Sequence, residues 1–385
     1  MSHLMETYRR LAVSFVRGEG LKLYTKEGEV YWDYLSGLGV NNLGHSHPVV
    51  VKTIQEQAAR LLHVSNLYRI EEQERLAAQL SEVSGLAKAF FCNSGTEAVE
   101  GLIKLARRYQ RQVRGEDRFE VITAYRSFHG RTLGALSATG QEKYQRFFEP
   151  LVPGFKYVPY NDLAALEETI TPQTALVLLE PVQGEGGVYP AEPGYLKQVA
   201  ELCRERGVLF GLDEVQTGVG RCGSFYAFQR YGAQPDLVSS AKALAGGLPI
   251  GVVLASEEVA QGFAPSSHAS TFGGNPLVTK VASQVVQIIS DSEFLAQVEK
   301  TGAYLEEQLL SQAGSAISQI RRLGLMLGIE LSSELDAGEV NKALFTEEKI
   351  LANAIGSHIL RVLPPLISTE ADCDRFVKAF CRQVL

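Results

Sequence analysis

Apolar runs of strand length alternate with runs of helical length through the middle of this chain. The strand-like runs are residues 89–92, 119–124, 175–180 and 207–213, and a helical run occupies residues 194–206. Alternation on this scale favours an α/β fold with a mostly parallel central sheet and helices on its faces. Such sheets bind ligands at the carboxyl ends of their strands. Glu180, Asp213 and Glu214 fall at such strand ends.

One lysine, Lys242, lies among small and apolar residues in the stretch 237–251. An amine held in such surroundings is poorly hydrated, so its charged form is disfavoured and its pKa falls towards the range where nitrogen is nucleophilic. The alternative is a lysine at the edge of a buried strand that extends its ammonium group into solvent. Lys242 is therefore a candidate for Schiff-base formation. Other residues of the chain are needed to distinguish this role from that of a solvent-exposed lysine at a strand edge.

A short turn, Ser-Gly-Thr-Glu at residues 94–97, joins the strand at 89–92 to an amphipathic helical pattern. The turn has the form of a capping box. The start of a helix also attracts phosphate through its free N–H groups, and a glycine allows close approach. We therefore expect Ser94, Gly95 and Thr96 to cap the helix, to bind a phosphate, or to do both.

Asp213 ends the predicted strand at residues 207–213. A partly buried carboxylate is stable when it pairs with a protonated ring nitrogen, and that pairing keeps a pyridinium ring able to accept electrons. A capping or salt-bridging aspartate is the alternative. A phosphate-binding turn, a strand-end aspartate and a poorly hydrated lysine, in that order in an α/β chain, together indicate pyridoxal 5'-phosphate as the cofactor.

The composition is that of a globular protein with a large core. The 385 residues are 45% hydrophobic and 21% charged, which is enough for two domains. The net charge of −7 favours neither nucleic acid nor an anionic membrane as a partner. Five scattered cysteines without a CxxC pair fit a reducing cytoplasm. The charged N-terminus and the lack of an 18-residue apolar run predict neither a signal peptide nor a membrane span.

Two other patterns suggest different chemistry. Residues 218–223 match GxGxxG, the mark of a dinucleotide-dependent oxidoreductase, but the preceding strand ends several residues too early and the following residues are a poor helix opening. His45 and His47 are spaced as a metal pair, yet they lack a nearby carboxylate or cysteine, so we expect turn and packing roles and no metal.

Six stretches resemble one enzyme family in the same order along the chain. They are NSGTEA at residues 93–98, SFHGRT at 127–132, EPVQGEGG at 180–187, LDEVQTG at 212–218, AKALAGGLPIG at 241–251 and STFGGNP at 270–276. The chain thus resembles the class III aminotransferases, which depend on pyridoxal 5'-phosphate, along nearly its whole length. Within that family it is most similar to the branch that acts on N2-acetyl-L-ornithine.

The resemblance implies the fold type I architecture of pyridoxal-phosphate transferases. Residues 49–276 would form the large cofactor-binding domain, with a mostly parallel central sheet flanked by helices. Residues 1–48 and 277–385 would form a smaller α+β domain built from both termini. In the second part, we expect a long helical run at residues 277–310, strands at 325–331 and 359–363, and a closing helix at 370–385.

The resemblance also implies roles for the cofactor-binding residues. Lys242 would form the Schiff base and carry the proton, and Asp213 would pair with the pyridinium nitrogen. Phe128 and Val215 would cover the two ring faces, because a flat ring needs flat, apolar partners. The remaining roles are the phenolic oxygen of the cofactor for Gln216, the phosphate for Ser94, Gly95 and Thr96, and the phosphate of the neighbouring subunit of a homodimer for Thr271.

Four residues are implied to bind substrate. Arg131 would hold the α-carboxylate of acetylornithine through bidentate hydrogen bonds. Arg361 would hold that of glutamate or 2-oxoglutarate, and Glu185 would cover Arg361 when the first substrate is present. A structural salt bridge is the alternative for this pair. Leu38 stands where ornithine aminotransferases usually place a tyrosine, and an apolar side chain there suits an acylated amine.

The implied reaction is a ping-pong transamination that moves the terminal amino group of N2-acetyl-L-ornithine to 2-oxoglutarate. The products are N-acetylglutamate 5-semialdehyde and glutamate, a step of arginine biosynthesis. The donors succinylornithine, ornithine, 4-aminobutyrate and a carrier-linked lysine precursor remain open. An aminomutase that needs no 2-oxoglutarate and a non-catalytic binding protein are further alternatives, although the latter would not be expected to keep both Lys242 and Asp213.

Overall fold

The structure is a computed structural model that describes residues 3–385. Met1 and Ser2, which belong to the predicted segment 1–48, lie outside the described residues. The strands within residues 3–385 are β1 Phe15–Glu19, β2 Lys22–Thr25, β3 Val30–Asp33, β4 Lys88–Cys92, β5 Glu120–Ala124, β6 Phe155–Val158, β7 Thr174–Leu179, β8 Val182–Gln183, β9 Tyr189–Pro190, β10 Leu209–Asp213, β11 Leu237–Ser240, β12 Gly251–Ala255, β13 Ile317–Leu323, β14 Met326–Leu331, β15 Ile350–Leu351, β16 Asn353–Ile355 and β17 Ile359–Val362. The α-helices in the same range are α1 Ser36–Gly39, α2 Pro48–Ala58, α3 Glu71–Ser84, α4 Gly95–Arg108, α5 Leu133–Ala138, α6 Glu142–Gln145, α7 Leu163–Thr169, α8 Tyr195–Arg206, α9 Glu257–Ala260, α10 Pro276–Ile289, α11 Ser292–Ala313, α12 Ala337–Thr346 and α13 Glu370–Val384.

The central sheet has seven strands in the order β4-β12-β11-β10-β7-β5-β6. The four pairings from β11 to β6 are parallel, and β12 runs antiparallel to both β11 and β4. The predicted α/β fold with a mostly parallel sheet is confirmed, and the four predicted strands correspond to β4, β5, β7 and β10. The parallel strands are buried on both faces, so their sequences read as continuous apolar runs.

Helix α4 packs across β11 and β12 with one apolar face. Val99, Leu102, Ile103 and Ala106 recur at helical spacing, and each is at most 3% exposed. Burying each of the three larger side chains contributes roughly 1.5–3 kcal/mol. This packing fixes the start of α4 beside the end of β4, where the predicted phosphate-binding turn lies.

Two smaller sheets join the ends of the chain. Strands β1, β2 and β3 pair in one sheet with β15 from the other end, where Ile350 lies opposite Trp32. Strands β13, β14, β17 and β16 form the second sheet. Helices α11 and α12 pack on these strands, and α13 packs on both helices. The expectation that a smaller α+β unit draws on both termini is confirmed.

The single helical run predicted at residues 277–310 is wrong, because the structure divides it into α10 and α11. The break falls at Ser290 and Asp291, and the Asp291 carboxylate accepts hydrogen bonds from the N–H groups of Glu293 and Phe294 at 3.0 and 2.9 Å. These bonds cap α11. The first helix packs on α2 and α3 and the second on α13. The domain division at 48/49 and 276/277 stays a prediction.

The helices of residues 3–385 include none that is both long and apolar enough to cross a membrane. Four of the five cysteines are buried and the fifth is half-buried, and all five are free thiols in the described chain. Buried thiols pack as small apolar side chains. They therefore belong to the core.

Arg221 is a buried arginine that joins three distant parts of the chain. Its guanidinium donates to the carbonyl oxygens of Leu325 and Pro364 at 2.9 and 2.6 Å and to Oδ1 of Asn42 at 2.5 Å. The side chain is 1% exposed, and burial lowers its pKa to about 10. Arg221 thus ties the N-terminal segment and the β17 region to the end of the central sheet.

We predict that Arg221→Ala lowers the free energy of unfolding by at least about 3 kcal/mol, because it leaves three buried oxygen acceptors without a donor. Urea unfolding followed by circular dichroism measures the loss. Arg206→Ala is the matched control, since Arg206 forms a half-exposed pair with Glu167 and its loss should cost less than about 1 kcal/mol. Equal losses in the two variants would contradict the assigned role of Arg221.

Candidate active site

A cleft of about 220 Å³ opens where parallel strands of the central sheet end. Glu180 directly follows β7, Asp213 is the last residue of β10, and Lys242 lies shortly after the end of β11. The carboxyl ends of neighbouring parallel strands meet at one edge of a sheet, which brings these three side chains together. The cleft is lined by Gly95, Thr96, Phe128, His129, Gly130, Arg131, Glu180, Val182, Asp213, Val215, Gln216, Thr217 and Lys242.

Lys242 stands at the start of a single 3₁₀ turn with a backbone φ of +46°. A positive φ is costly for a residue with a side chain, and such strain is common where a side chain must face a functional cleft. Burial lowers the pKa of the Lys242 amine, and the carboxylates of Glu185, Asp213 and Glu180 oppose that shift. The amine is therefore held closer to its neutral, nucleophilic form than an exposed lysine is.

The Asp213 carboxylate is fixed by three donors. Its Oδ1 accepts hydrogen bonds from the Val215 N–H at 3.0 Å and the Ser239 hydroxyl at 3.1 Å. Its Oδ2 lies 2.8 Å from Nδ1 of His129. The residue is only 4% exposed. A carboxylate held in this way keeps its position at the cleft wall and can pair with a cationic ring nitrogen.

His129 is a site residue that the sequence analysis missed. Its side chain is buried, and its Nε2 has no hydrogen-bond partner among residues 3–385. His129 lay inside the SFHGRT stretch, but nothing in the local sequence showed that it would reach Asp213. The contact depends on the position of the loop after β5 relative to the end of β10, which only the folded chain defines.

The turn at the start of α4 caps the helix as predicted. The Ser94 hydroxyl accepts from the Glu97 N–H at 3.3 Å, whereas the Glu97 carboxylate reaches the N–H of Asn93 and not that of Ser94. A Cβ at Gly95 would lie 2.6 Å from Cγ1 of Val215, so no larger residue fits there. The first N–H groups of a helix lack partners within it. An anion can therefore approach the backbone closely at this point.

The Thr96 hydroxyl is already engaged within the protein. Its Oγ1 accepts from the N–H groups of Arg131 and Thr132 at 3.0 and 3.1 Å. A Cβ at Gly130, where φ is +136°, would clash with the same hydroxyl. Thr96 therefore anchors the loop after β5 to the start of α4, and its phosphate-binding role stays a prediction.

Phe128, Val215 and Gln216 line the same cleft as Lys242. The Phe128 N–H donates to Oε2 of Glu180 at 3.1 Å. Burial raises the pKa of Glu180 well above its ordinary value, and the Asp213 charge adds to the rise. Burial and the Asp213 charge thus both favour the protonated form of Glu180.

Glu185 and Arg361 form an ion pair beside the cleft, with 2.5 Å between Oε1 and Nη1. Gln216 bonds to both partners at 3.2 Å, and Oδ1 of Asn353 accepts from Nη2 of Arg361 at 2.8 Å. Burial favours a higher pKa for Glu185, but Arg361 outweighs it and the pKa lies below its ordinary value. Arg361 is 1% exposed, whereas the Glu185 side chain is 25% exposed. The carboxylate is therefore the partner with room to move.

Arg131 lies at the rim of the cleft. Its guanidinium lies over the Tyr144 ring at 4.2 Å and the Phe128 ring at 5.5 Å. Stacking of this kind holds an arginine in place without a carboxylate partner. Arg131 is exposed, and its predicted contact with a substrate carboxylate stays a prediction.

Leu38 and Thr271, like Ser94, Glu185 and Arg361, are predicted site residues that do not line the cleft. Leu38 is 44% exposed and has a φ of +69°. Thr271 is exposed and lines a separate cavity of about 770 Å³, together with His63, Asn66 and His268. The predicted substrate contact of Leu38 and the predicted phosphate contact of Thr271 therefore stay predictions.

The two other sequence patterns have structural roles. Residues 218–223 form a glycine turn that carries Arg221, and the 3₁₀ helix Ala227–Tyr231 follows in place of the long α-helix that a dinucleotide site requires. His45 Nε2 lies 2.7 Å from Oδ2 of Asp33. Within residues 3–385, no cluster of three or more His, Cys, Asp or Glu side chains could hold a metal ion.

The chain is similar to proteins of known family and known structure. The chain matches the family described as aminotransferase class-III over residues 4–384. It is 48% identical to the acetylornithine aminotransferase of Caldanaerobacter subterraneus, over 97% of this chain and 94% of that protein. A crystal structure of the Toxoplasma gondii ornithine aminotransferase superimposes with a TM-score of 0.94 at 31% identity, over 99% of this chain and 92% of that one. The acetylornithine aminotransferase of Elizabethkingia anophelis superimposes with a TM-score of 0.87 at 34% identity, over 99% and 96%.

Glu214, next to Asp213, points away from the cleft and gives a pH-dependent prediction. It accepts hydrogen bonds from the Phe228 N–H and the Thr217 hydroxyl, and burial raises its pKa from 4.5 to about 7. Because the folded chain holds this proton more tightly than the unfolded chain, the stabilisation is complete below pH 4.5 and is lost as the pH rises through 7.

We therefore predict that the wild-type free energy of unfolding falls by about 3 kcal/mol more between about pH 4.5 and pH 8 than that of Glu214→Gln. Denaturant unfolding at a series of pH values measures both slopes. Comparing slopes removes any constant effect of the substitution and the titration of groups that both proteins share. Parallel pH profiles would show that Glu214 is ionised throughout.

Proposed function

This chain belongs to the class III aminotransferases, and we propose that it transfers the terminal amino group of N2-acetyl-L-ornithine to 2-oxoglutarate. The products are N-acetylglutamate 5-semialdehyde and glutamate, which places the enzyme in arginine biosynthesis. The observation that carries the proposal is the similarity to acetylornithine aminotransferases at 43–48% identity over nearly the full chain. The cleft adds the charged groups that two substrates of different charge pattern require.

The cofactor of this family is pyridoxal 5'-phosphate, and the residues of the cleft fit it. When bound, it supplies an aldehyde that condenses with amines and a ring that accepts the electron pair released at the substrate carbon. The fixed Asp213 carboxylate suits the ring nitrogen, and the close backbone approach at Gly95 suits the phosphate. Phe128 and Val215 would contact the ring faces, and Gln216 would reach the phenolic oxygen.

Lys242 is the proposed nucleophile and proton carrier. Its depressed pKa supplies a neutral amine for attack on an aldehyde, and the same amine can accept a proton from one carbon and deliver it to another. Asp213 is the proposed counter-charge that keeps the ring nitrogen protonated. Ser94, Gly95 and Thr96 would hold the phosphate at the positive end of α4.

The ion pair of Glu185 and Arg361 is the proposed switch between the two substrates. Glutamate and 2-oxoglutarate carry a carboxylate on the reacting carbon, their α-carboxylate, which Arg361 can bind once Glu185 has moved away. Acetylornithine has no carboxylate on its reacting carbon, so Glu185 stays and neutralises Arg361. Arg131, oriented by its aromatic neighbours, would hold the α-carboxylate of acetylornithine.

We propose further that the enzyme is a cytoplasmic homodimer with sites at the interface. The location of Thr271 in a separate cavity supports a role in the site of a second copy. Leu38 is exposed in the single chain. In the proposed homodimer, a second copy would close the cleft and allow the ligand to contact Leu38. The five free cysteines fit a reducing compartment.

Ornithine is the second candidate donor, because the highest structural similarity quoted above is to an ornithine aminotransferase. The apolar Leu38 argues against a donor with a free α-amino group. Succinylornithine, 4-aminobutyrate and a carrier-linked lysine precursor are related donors that the same mechanism would accept. Sequence identity is higher to the acetylornithine enzymes, at 48% against 31%.

We predict that the cofactor absorbance of the holoenzyme changes rapidly on addition of acetylornithine or glutamate and at least about tenfold more slowly with ornithine or 4-aminobutyrate. Single-turnover stopped-flow spectroscopy measures the four rates. Lys242→Ala is the control and should react only at a small residual rate, because it lacks the proton carrier. Faster reaction with ornithine would retain the mechanism and replace the substrate.

We predict that Arg361→Ala slows the glutamate half-reaction at least about 30-fold, because the loss of one partner of a charge-paired carboxylate costs about 2–5 kcal/mol. The acetylornithine half-reaction should be affected much less. Glu185→Gln is the opposite comparison, since it should slow the acetylornithine half-reaction and spare glutamate. Equal damage to both half-reactions in each variant would indicate that the pair is a structural salt bridge.

A further inference from the structure

Glu185 lies in the turn of a short hairpin, which we call the Glu185 hairpin, residues 182–190. Strands β8 and β9 form its two arms. Two residues of the turn have positive φ, Gly187 at +122° and Val188 at +56°. A β-branched residue with positive φ is strained. Such a conformation persists only when the surroundings impose it.

One of the groups that impose it is Arg321 of β13. Its Nε donates to the carbonyl oxygens of Gly187 and Val188 at 3.3 and 3.2 Å, and its Nη2 donates to Gly187 at 3.2 Å. The guanidinium also lies 4.2 Å from the centre of the Tyr189 ring. Arg321 therefore contacts three consecutive residues of the Glu185 hairpin. It is 7% exposed, so these bonds are shielded from water.

Arg321 is itself held in one orientation. Its Nη1 donates to Oε1 of Gln319 at 2.8 Å and to Oε2 of Glu330 at 2.5 Å. Glu330 lies on β14, next to the strand that carries Arg321. An arginine with its fork fixed by a carboxylate on one side presents its remaining donors rigidly on the other.

Arg321 and Arg361 occupy one row of the small sheet. Gly328 of β14 lies opposite Arg321 of β13 on one side and Arg361 of β17 on the other. Residues opposite each other on neighbouring strands share a face of the sheet. A Cβ at Gly328 would lie 2.8 Å from Cβ of Val188, so the hairpin rests on this glycine between the two arginines.

The two arginines hold opposite ends of the same turn. Arg361 donates to the Gly184 carbonyl at 3.3 Å and pairs with Glu185, while Arg321 donates to Gly187 and Val188. In the proposed switch, Glu185 at the Arg361 end of the turn must release Arg361 when a dicarboxylate substrate binds. The end held by Arg321 has no such requirement.

We propose that Arg321 is a positioning residue for the choice between the two substrates. It fixes the Gly187 end of the turn so that Glu185 returns to Arg361 whenever no substrate carboxylate is bound there. The inference rests on the proposed function, in which Glu185 covers Arg361 for the amine donor without a carboxylate on its reacting carbon. Loss of Arg321 leaves Arg361 uncovered more often, which disfavours that donor and not glutamate.

The test compares the rates of the two half-reactions. In Arg321→Ala, the rate constant for acetylornithine divided by that for glutamate should fall at least about fivefold relative to wild type. In Arg321→Lys the ratio should fall less, because a lysine can donate to one carbonyl oxygen but lacks the several donors of a guanidinium group. Arg322→Ala is the matched control: it removes ion pairs with Glu299 and Glu306 from the next residue of the same strand, and the ratio should not change.

Two further variants separate positioning from loss of structure. In a Glu185→Gln background, Arg321→Ala should leave the ratio unchanged, because the group that Arg321 positions no longer carries a charge. Gly328→Ala should also lower the ratio, because its added Cβ displaces Val188 while both arginines remain intact. Hydrogen exchange of residues 184–190 should increase in Arg321→Ala and in Gly328→Ala, and not in Arg322→Ala.

Equal slowing of both half-reactions in Arg321→Ala, or the same fall of the ratio in the Glu185→Gln background, would overturn the inference. So would unchanged hydrogen exchange of the hairpin. Failure of the proposed function has a different signature, which is a wild-type enzyme that prefers another amine donor. The same ratio is then taken between that donor and glutamate, and the variants test Arg321 as before.

Discussion

Parallel hydrogen bonding of β10 with β7 and β11 is the constraint from which the site follows. The pairing brings the ends of three strands to one edge of the sheet. Glu180, Asp213 and Lys242 lie at those ends. Because the three strands are buried on both faces, the charged groups of the cleft lie where the strands stop. The chemistry of the cleft is thus a consequence of how the apolar core is built.

The charges around the cleft are balanced by burial as much as by pairing. Burial favours the neutral form of Lys242 and of Glu180, whereas Asp213 keeps three donors and Glu185 keeps a guanidinium. Burial and pairing therefore shift the pKa values of neighbouring carboxyl groups in opposite directions, upwards for Glu180 and downwards for Glu185. This difference lets one residue accept a proton while its neighbour remains a fixed charge.

Much of this architecture could be predicted from sequence because it rests on local patterns. Strands β4, β5, β7 and β10 are apolar runs, and Lys242 and Asp213 were recognisable by residue type and position. Strand β12 was not predicted because its five residues follow a glycine-rich and proline-containing stretch, and its antiparallel direction depends on its neighbours. The break before α11 was missed although Ser290, Asp291, Ser292 and Glu293 interrupt the apolar pattern and Asp291 is a typical N-cap residue. His129 and Asn353 reach the site through contacts between distant segments, which no local pattern encodes. The roles of Leu38 and Thr271 were implied by resemblance alone, and one chain does not bring either to the cleft.

Among the non-glycine residues with positive φ, Lys242 lies at the cleft and Val188 lies in the hairpin that carries Glu185. Lys242 and Val188 both have positive φ, and each follows directly from a strand or turn that the core holds in place. A residue free to relax would leave such a conformation, at a gain of the order of 1–3 kcal/mol. The strain at Lys242 is held by the burial of β11 and of the residues after it, whereas the strain at Val188 is held by hydrogen bonds from Arg321 and by contact with Gly328. The first is held by residues that belong to the core of the large sheet. The second is held by contacts with the small sheet that fix the Gly187 end of the turn, and in the proposed switch the movement belongs to Glu185 at the other end.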